Sequence, residues 1–194
     1  VIDSQSRRLT GLVSELRKLA DLETQPIERA PVDLEELAAD VVAAVSEHLE
    51  TTGGGSREFR IVFPQAPWPI SKVVGDVDLL FLAQYNLVSN AAKYSHADSS
   101  IEIRGSEDDG WAVIEVADNG TGIPANEADM VWDELARGAN SLGIPGPGLG
   151  LSLVNAVALR HGGRATLRSR AGQGTSVAMQ ALSLARPSYH RVLA

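Results

Sequence analysis

The sequence predicts an α+β domain: a two-layer α/β sandwich with helices on one face of a mixed, mostly antiparallel sheet, preceded by a separate N-terminal helix. Three observations predict it. Apolar residues recur at helical spacing over 34–50, 78–95 and about 149–161, and between these stretches the period drops toward two. Strand-like runs are joined in pairs by short turns, at Asp108-Asp109-Gly110 and at Gly172-Gln173-Gly174. At the start of the chain Ile2, Leu9 and Leu16 are spaced by seven, as are Leu12 and Leu19, and two prolines follow.

Taken in order, residues 2–23 read as a helix whose seam is widened by Val13 and Leu22, with Arg7, Arg8, Glu15, Arg17 and Lys18 on the remainder. A seam lying ahead of everything globular suits one half of a dimerising helical hairpin better than a helix packed on its own domain. Residues 24–33, with Pro26 and Pro31, break the pattern and read as a linker. Asp33 is placed to cap a helix over 34–50 that carries Leu34, Leu37, Val41, Val42 and Val45 on one side. Gly53 to Gly55 form a connector, and 58–63 alternates as a strand. A helix over 78–95 is followed by strands near 101–104 and 111–116. Residues 119–147 are rich in Gly, Asn and Pro with little periodicity. The last helix stops at Gly162-Gly163, strands follow at 164–169 and 175–182, and 185–194 reads as a tail.

Composition narrows the function. A chain of 194 residues suits one large domain, or one domain with an extra element. Seventeen basic against twenty-five acidic residues give a net charge of −8, so coating nucleic acid or an anionic membrane is excluded as the main task. Cysteine is absent, which removes disulfides, zinc-thiolate sites and a cysteine nucleophile and fits a reducing, cytoplasmic setting. No apolar run approaches the roughly 18 residues that would span a bilayer, so no membrane contact is expected from this stretch. The start, Val1-Ile2-Asp3, is neither an initiator Met nor a signal peptide, and the expectation is a soluble piece of a longer protein. No Gly-Lys pair supports a P-loop, Gly120–Ala125 matches a dinucleotide fingerprint without a crossover helix, and neither HExxH nor GxSxG occurs.

Three motifs remain. In residues 86–95 (NLVSNAAKYS), Asn86, Asn90 and Lys93 share one helical face, while Leu80, Leu87, Val88, Ala91 and Ala92 lie roughly opposite. Two amides and an ammonium offer neutral oxygen ligands to a hard cation and a point charge to phosphate. Asp118, followed by Gly120 and Gly122, joins a carboxylate that can accept from an exocyclic amine to glycines that admit a flat ring. Residues 146–151 form a glycine-rich loop feeding a helix start, where unpaired N–H groups favour phosphate. Each motif alone has an ordinary explanation: a solvated face, a tight turn, a hinge. Their order along some sixty residues does not.

That order resembles the GHKL, or Bergerat-type, ATP-binding domain, and within it the sensor histidine kinases of two-component systems. Residues 86–95 look like the family's N box and 118–124 (DNGTGIP) like its first glycine box. Residues 132–138 look like a worn version of the box built around Phe, with Trp132 and Leu135 in place of the aromatic pair. Residues 146–154 (GPGLGLSLV) look like the second glycine box, with Pro147 where a hydroxyl is common, and 172–177 (GQGTSV) like the last. Residues 7–23 resemble the end of the second dimerisation helix. The resemblance divides the chain into residues 1–24, part of the dimerisation and phosphotransfer hairpin; 25–33, a linker; 34–184, the ATP-binding catalytic domain; and 185–194, a tail.

The resemblance implies ATP and Mg²⁺ as cofactors. Asn90 would hold the metal with Asn86 assisting, Lys93 would meet phosphate, and Tyr94 would stack on adenine. Asp118 would read the adenine amino group with Gly120, Gly122 and Ile123 around it. Gly146, Gly148, Leu149, Gly150 and Leu151 would approach the phosphates. Arg137 would reach the γ-phosphate from a lid, and Thr175 would support the adenine end through water. The parent would transfer the γ-phosphoryl group to a histidine and onward to an aspartate on a response-regulator receiver domain, as a homodimer through the N-terminal helix; whether it is anchored in the inner membrane stays open. The acceptor histidine would precede Val1. His48 reads as a surface residue, His96 as solvent-facing beside the N box, His161 as complementing a helix dipole, and His190 as part of the tail. Asn86 stands where hydrolysing relatives carry Glu, so negligible intrinsic hydrolysis is expected. The rivals are a serine kinase like the anti-sigma factors, which predicts no dimerisation helix, and a nucleotide-dependent interaction module or phosphatase-biased sensor.

Overall fold

The computed structural model describes residues 26–96, 99–133 and 148–184. The expected dimerisation helix, the tail, Leu135, Arg137, Gly146 and Pro147 lie outside the described residues. The elements are β1 (Ala30–Val32), α1 (Leu34–Thr52), β2 (Glu58–Val62), β3 (Val73–Gly75), α2 (Val77–Tyr94), β4 (Ser100–Asp108), β5 (Trp111–Asp118), α3 (Gly150–Arg160), β6 (Ala165–Ser169) and β7 (Thr175–Leu182), with a 3-10 turn at Met130–Trp132. Five strands form the main sheet in the order β2-β4-β5-β7-β6. Only β2 and β4 run parallel; the other pairs are antiparallel. This is the mixed, mostly antiparallel α+β sandwich that the sequence predicts.

Strand alternation decides which face is covered. Ile101 and Ile103 of β4, Ala112, Ile114 and Val116 of β5, and Val177, Met179 and Ala181 of β7 are buried and meet Leu37, Val41 and Val45 of α1, Leu80, Leu87 and Val88 of α2, and Leu153, Val154 and Val157 of α3 in one core. The opposite face carries polar pairs. There Arg104 bonds Glu102 and lies 3.6 Å from Glu115, and Ser176 donates to Glu115. The β4–β5 hairpin turns where its residues predict, with φ of 46° at Asp109 and 80° at Gly110 as a type I′ turn requires. Its strands extend further than the apolar alternation alone suggests, so β5 ends on Asp118.

The helices begin and end for local reasons. Asp33 caps α1 by accepting from Glu35 and Glu36, and Gly53 closes it at φ 71°. Asp76 caps α2 from Asp78 and Leu79, both at 3.1 Å. Within the expected linker, Ala30–Val32 pairs antiparallel with Val73–Gly75. Three-residue strands are too short to carry a period, so neither shows in the sequence.

α3 runs antiparallel to α2: Gly150 lies against Asn86 and Asn90, while His161 at the other end reaches the start of α2. His161 stands at the end of α3, where the sequence reads it as complementing the helix dipole. It is buried; Nδ1 bonds the Val157 carbonyl at 2.8 Å and Nε2 accepts the Asp76 N–H at 3.0 Å. The ring is therefore the neutral Nδ1–H tautomer, and burial pushes its pKa down.

Candidate nucleotide-binding site

The three motifs converge because α2, the end of β5, the β6–β7 turn and the start of α3 meet at one end of the sandwich. Asn86 and Asn90 lie one turn apart on α2, both half-buried. Asn86 Nδ2 donates to the Leu82 carbonyl at 2.8 Å, which leaves Oδ1 directed away from the helix. A Cβ built on Gly150 would stand 3.2 Å from that oxygen and 3.0 Å from Asn90 Nδ2. Two amides thus face the first residue of α3 across a gap that a methyl group would crowd. Lys93 follows on the same side of α2 and is exposed.

The start of α3 suits an anion. Leu149 is buried at the N-cap position and supplies no side-chain cap, and the helix runs eleven residues with no acid in its first turn. Among the described residues no side-chain cap hydrogen bond is made at its N-cap, and the dipole adds positive potential there. Gly148 precedes it at φ 83°, and Leu151 turns to the core.

The second corner is built on Asp118. Its Oδ1 accepts the Gly120 N–H at 2.8 Å. Burial pushes the carboxyl above the usual range, while the N–H groups of Gly120 and Thr175 and the nearby charge of His96 pull it back. Gly120 must be glycine: its Cβ would fall 2.0 Å from the Tyr94 carbonyl oxygen, which accepts the Thr121 N–H at 3.1 Å. The end of α2 is thereby locked onto the loop after β5. Gly122, at φ 63°, presses on the Arg170 carbonyl, where a Cβ would sit at 2.0 Å. Gly172 N–H bonds Thr121 O at 2.7 Å, and Ile123 N–H bonds Ser169 Oγ at 2.8 Å. Asp118 and Thr175 are register partners on the helix-facing side of the sheet. His96 is exposed, as read, yet close enough to favour the ionised form of Asp118.

Of the site residues named from sequence, Asn86, Asn90, Gly148, Leu149 and Gly150 gather at the α2–α3 corner. Tyr94, Asp118, Gly120, Gly122, Ile123 and Thr175 gather at the β5 corner, with Lys93 beside the end of α2. Among the described residues no cluster of His, Cys, Asp or Glu is arranged for a metal. The residue that sequence reasoning missed is Ser169, which ties three of these segments together. Its signal was a hydroxyl in register with the inward positions Ala165 and Leu167.

Helices on one face of a mixed, mostly antiparallel sheet form the ATPase fold that solved sensor histidine kinases share. Residues 75–186 match the family described as histidine kinase-, DNA gyrase B-, and HSP90-like ATPase, and the chain belongs to that family. Among curated relatives it is 34% identical over 174 residues to the probable sensor histidine kinase TcrY of Mycobacterium tuberculosis, spanning 88% of this chain and 35% of TcrY. It is 34% identical over 190 residues to the sensor-like histidine kinase SenX3 of Mycolicibacterium smegmatis, spanning 96% of this chain and 48% of the relative. The chain therefore spans between a third and a half of these relatives. The solved mycobacterial sensor histidine kinase MprB superposes with a TM-score of 0.63 at 28% identity, over 80% of this chain and 98% of that one. ShkA, solved full-length with AMPPNP, shares the fold with a TM-score of 0.73 at 24% identity, over 92% of this chain and 37% of that one.

Proposed function

We propose that this chain is the ATP-binding catalytic part of a sensor histidine kinase whose acceptor histidine lies on a dimerisation hairpin. The observation that carries the reading is the meeting of two unlike corners at one end of the sandwich, an acceptor corner at Asp118 and an anion-favouring corner at Gly150. A nucleotide has the matching polarity, with an amino-bearing base at one end and phosphates at the other. The relatives' names support the same reading, and those names do not favour a serine kinase.

In this proposal Asp118 accepts from the adenine amino group and Thr175 supports it. Gly120, Gly122 and Ile123 line the base, and Tyr94 stacks on it. Lys93 and the α3 start at Gly148, Leu149, Gly150 and Leu151, with Gly146 before them, hold phosphate; Arg137 serves the γ-phosphate from the lid. Asn86 and Asn90 fit Mg²⁺ by chemistry, because a hard cation takes neutral amide oxygens and both amides lie beside Gly150 at the helix start. When bound, Mg²⁺ neutralises phosphate charge. The chain's own work is to hold ATP in line and exclude water while the histidine nitrogen forms a bond to the γ-phosphorus and the bond to ADP breaks. None of its residues need act as nucleophile. Asn86 is a poor base for water, so hydrolysis stays negligible.

The proposal extends to residues 1–24 as dimerisation helix, 25–33 as linker, 34–184 as catalytic domain and 185–194 as tail, to a response-regulator receiver domain as partner, and to work at the cytoplasmic side. No helix among the described residues is long and apolar enough to cross a membrane. The relative MprB is named a kinase/phosphatase, which supports a parent that also removes phosphate.

Thermal unfolding tests the nucleotide site. At about 100-fold excess of Mg·ATP over Kd, linkage stabilises by about 2.7 kcal/mol, a shift of roughly 5–10 °C for a chain this size. The shift should need Mg²⁺ and vanish in Asp118→Asn. A separately made helix bearing the acceptor histidine should then gain acid-labile phosphate from ATP. Steady ATP turnover without that helix would refute the transfer reading.

A further inference from the structure

Ser169, Thr175 and Asp118 stand side by side on β6, β7 and β5 as register partners, all on the helix-facing side of the sheet. Ser169 Oγ lies 2.8 Å from Thr175 Oγ1, donates to the Gly174 carbonyl at 2.9 Å and accepts the Ile123 N–H at 2.8 Å. A serine hydroxyl carries one proton. Here it goes to Gly174 O, whose other donor, the Arg170 N–H, is more distant at 3.3 Å. With that proton on Gly174 O, the contact between Ser169 and Thr175, in which either oxygen can donate, takes its proton from Thr175 and leaves Thr175 Oγ1 with lone pairs alone. Beside it the Asp118 carboxylate takes N–H groups from Gly120 and Thr175 and is likewise an acceptor. The two side chains at this corner therefore both ask for donors.

We infer that Ser169 is a positioning residue that sets the base selectivity of the site: by holding the Thr175 hydroxyl as an acceptor, it makes the corner complementary to a purine 6-amino group and hostile to a 6-oxo group. The inference rests on the nucleotide reading and deepens it. An adenine supplies two N–H donors at this position. A guanine supplies a carbonyl, which would set three acceptors facing one another with no donor between them, and sites reject ligands most strongly when buried polar groups lose their partners. Without the Ser169 hydroxyl, Thr175 is released to turn its own proton toward Gly174 or into the site.

The test compares Mg·ATP and Mg·GTP binding by calorimetry for the full chain, Ser169→Ala and Ser169→Thr. The ratio of GTP to ATP dissociation constants should fall about tenfold in Ser169→Ala, mostly through weaker ATP binding, and should return in Ser169→Thr, which keeps the hydroxyl. Equal weakening of both nucleotides would overturn the inference, because a residue that merely props the loop would act on both alike. An unchanged ratio would overturn it too. Should Ser169→Ala fail to fold, Thr175→Val removes the oriented hydroxyl at nearly constant volume and should lower the ratio by a similar factor. Where both variants fold, the double variant should add little to either alone; additive losses would contradict a shared device. If the unaltered chain binds no ATP, the nucleotide reading itself fails; if it binds ATP with the ratio untouched by Ser169→Ala, only this inference does.

Discussion

Replacing Gly150 with alanine should separate fold stability from nucleotide binding. The glycine opens α3 at ordinary helical dihedrals, so alanine there removes unfolded-state freedom and stabilises by about 0.4–1 kcal/mol. The new Cβ meets Asn90 Nδ2 at 3.0 Å, Asn86 Oδ1 at 3.2 Å and Asn90 Oδ1 at 3.6 Å, so the first two contacts are tight. Asn90 can rotate away at a cost of about 0.5–1.5 kcal/mol. Asn86 is less free, because its Nδ2 is tied to Leu82 O, and losing that bond costs about 1 kcal/mol. Gain and loss are of one size, and urea unfolding without ligand should move by no more than about 1 kcal/mol in either direction. Binding has no such offset: the methyl fills the gap between the amides and the helix start, where the proposal puts cation and phosphate. Calorimetry should show Mg·ATP affinity down by about tenfold or more, or roughly 1.4 kcal/mol. A Gly150→Ala chain of near-native stability and unchanged Mg·ATP affinity would refute the placement of the phosphate end.

Four further outcomes are expected. Gly120→Ala puts a Cβ 2.0 Å from backbone at Tyr94 and should cost about 2–4 kcal/mol in urea unfolding, from overpacking and the lost Thr121 bond; an unperturbed midpoint would mean that the lock between α2 and the loop is soft. Gly110→Ala, at φ 80° with nothing within 4 Å, should cost about 1–2 kcal/mol by its dihedral alone and leave ATP affinity intact. Burial raises the Asp118 pKa above its ordinary 3.8, so ATP affinity measured by calorimetry should fall on acidification at a higher pH than an exposed aspartate would set, and an affinity flat down to about pH 4 would contradict that role. His161 is held neutral by burial, with Asp76 opposing that shift and Arg29 and Arg160 adding to it. The unfolded chain gains a proton below about 6.5 that the folded chain refuses, so stability present above that pH should decline as pH falls from 6.5 toward the folded pKa. The urea midpoint should drop between pH 7.5 and 5.5, and His161→Gln should flatten the slope; a flat profile in the unaltered chain would contradict the neutral tautomer.

The residues that carried the correct reading are those whose meaning is local. Asp33 before an amphipathic run, Asp109-Gly110 between alternating strands and Gly162-Gly163 after the last helix each act through their own backbone, and each does in the structure what its chemistry dictates. The one-face burial of the sheet was likewise legible, because alternation is written residue by residue in β4, β5 and β7. Most candidate site residues were legible for a different reason. Asn86, Asn90 and Lys93 share a helix face by spacing alone, and Asp118 ends a strand among glycines. Which of these motifs would meet was given by family resemblance rather than by spacing.

Tertiary structure alone decided the rest. β1 and β3 exist because each is the other's partner, and three residues apiece carry no period of their own. His161 is neutral because α3 packs antiparallel to α2 and brings the Asp76 N–H to its ring, 85 positions away in the chain. Glycine at 122 and 174 is demanded by carbonyls of Arg170 and Asp118 on neighbouring segments, which no local pattern announces. Ser169 gains its place only when β6 registers against β7 and the loop after β5 folds back over both. Helix caps, turns and amphipathic faces are free-energy preferences of a few neighbouring residues and can be read along the chain. The direction of a hydroxyl proton depends on three partners that only folding brings together, and that is where we infer the choice between one purine and another to be made.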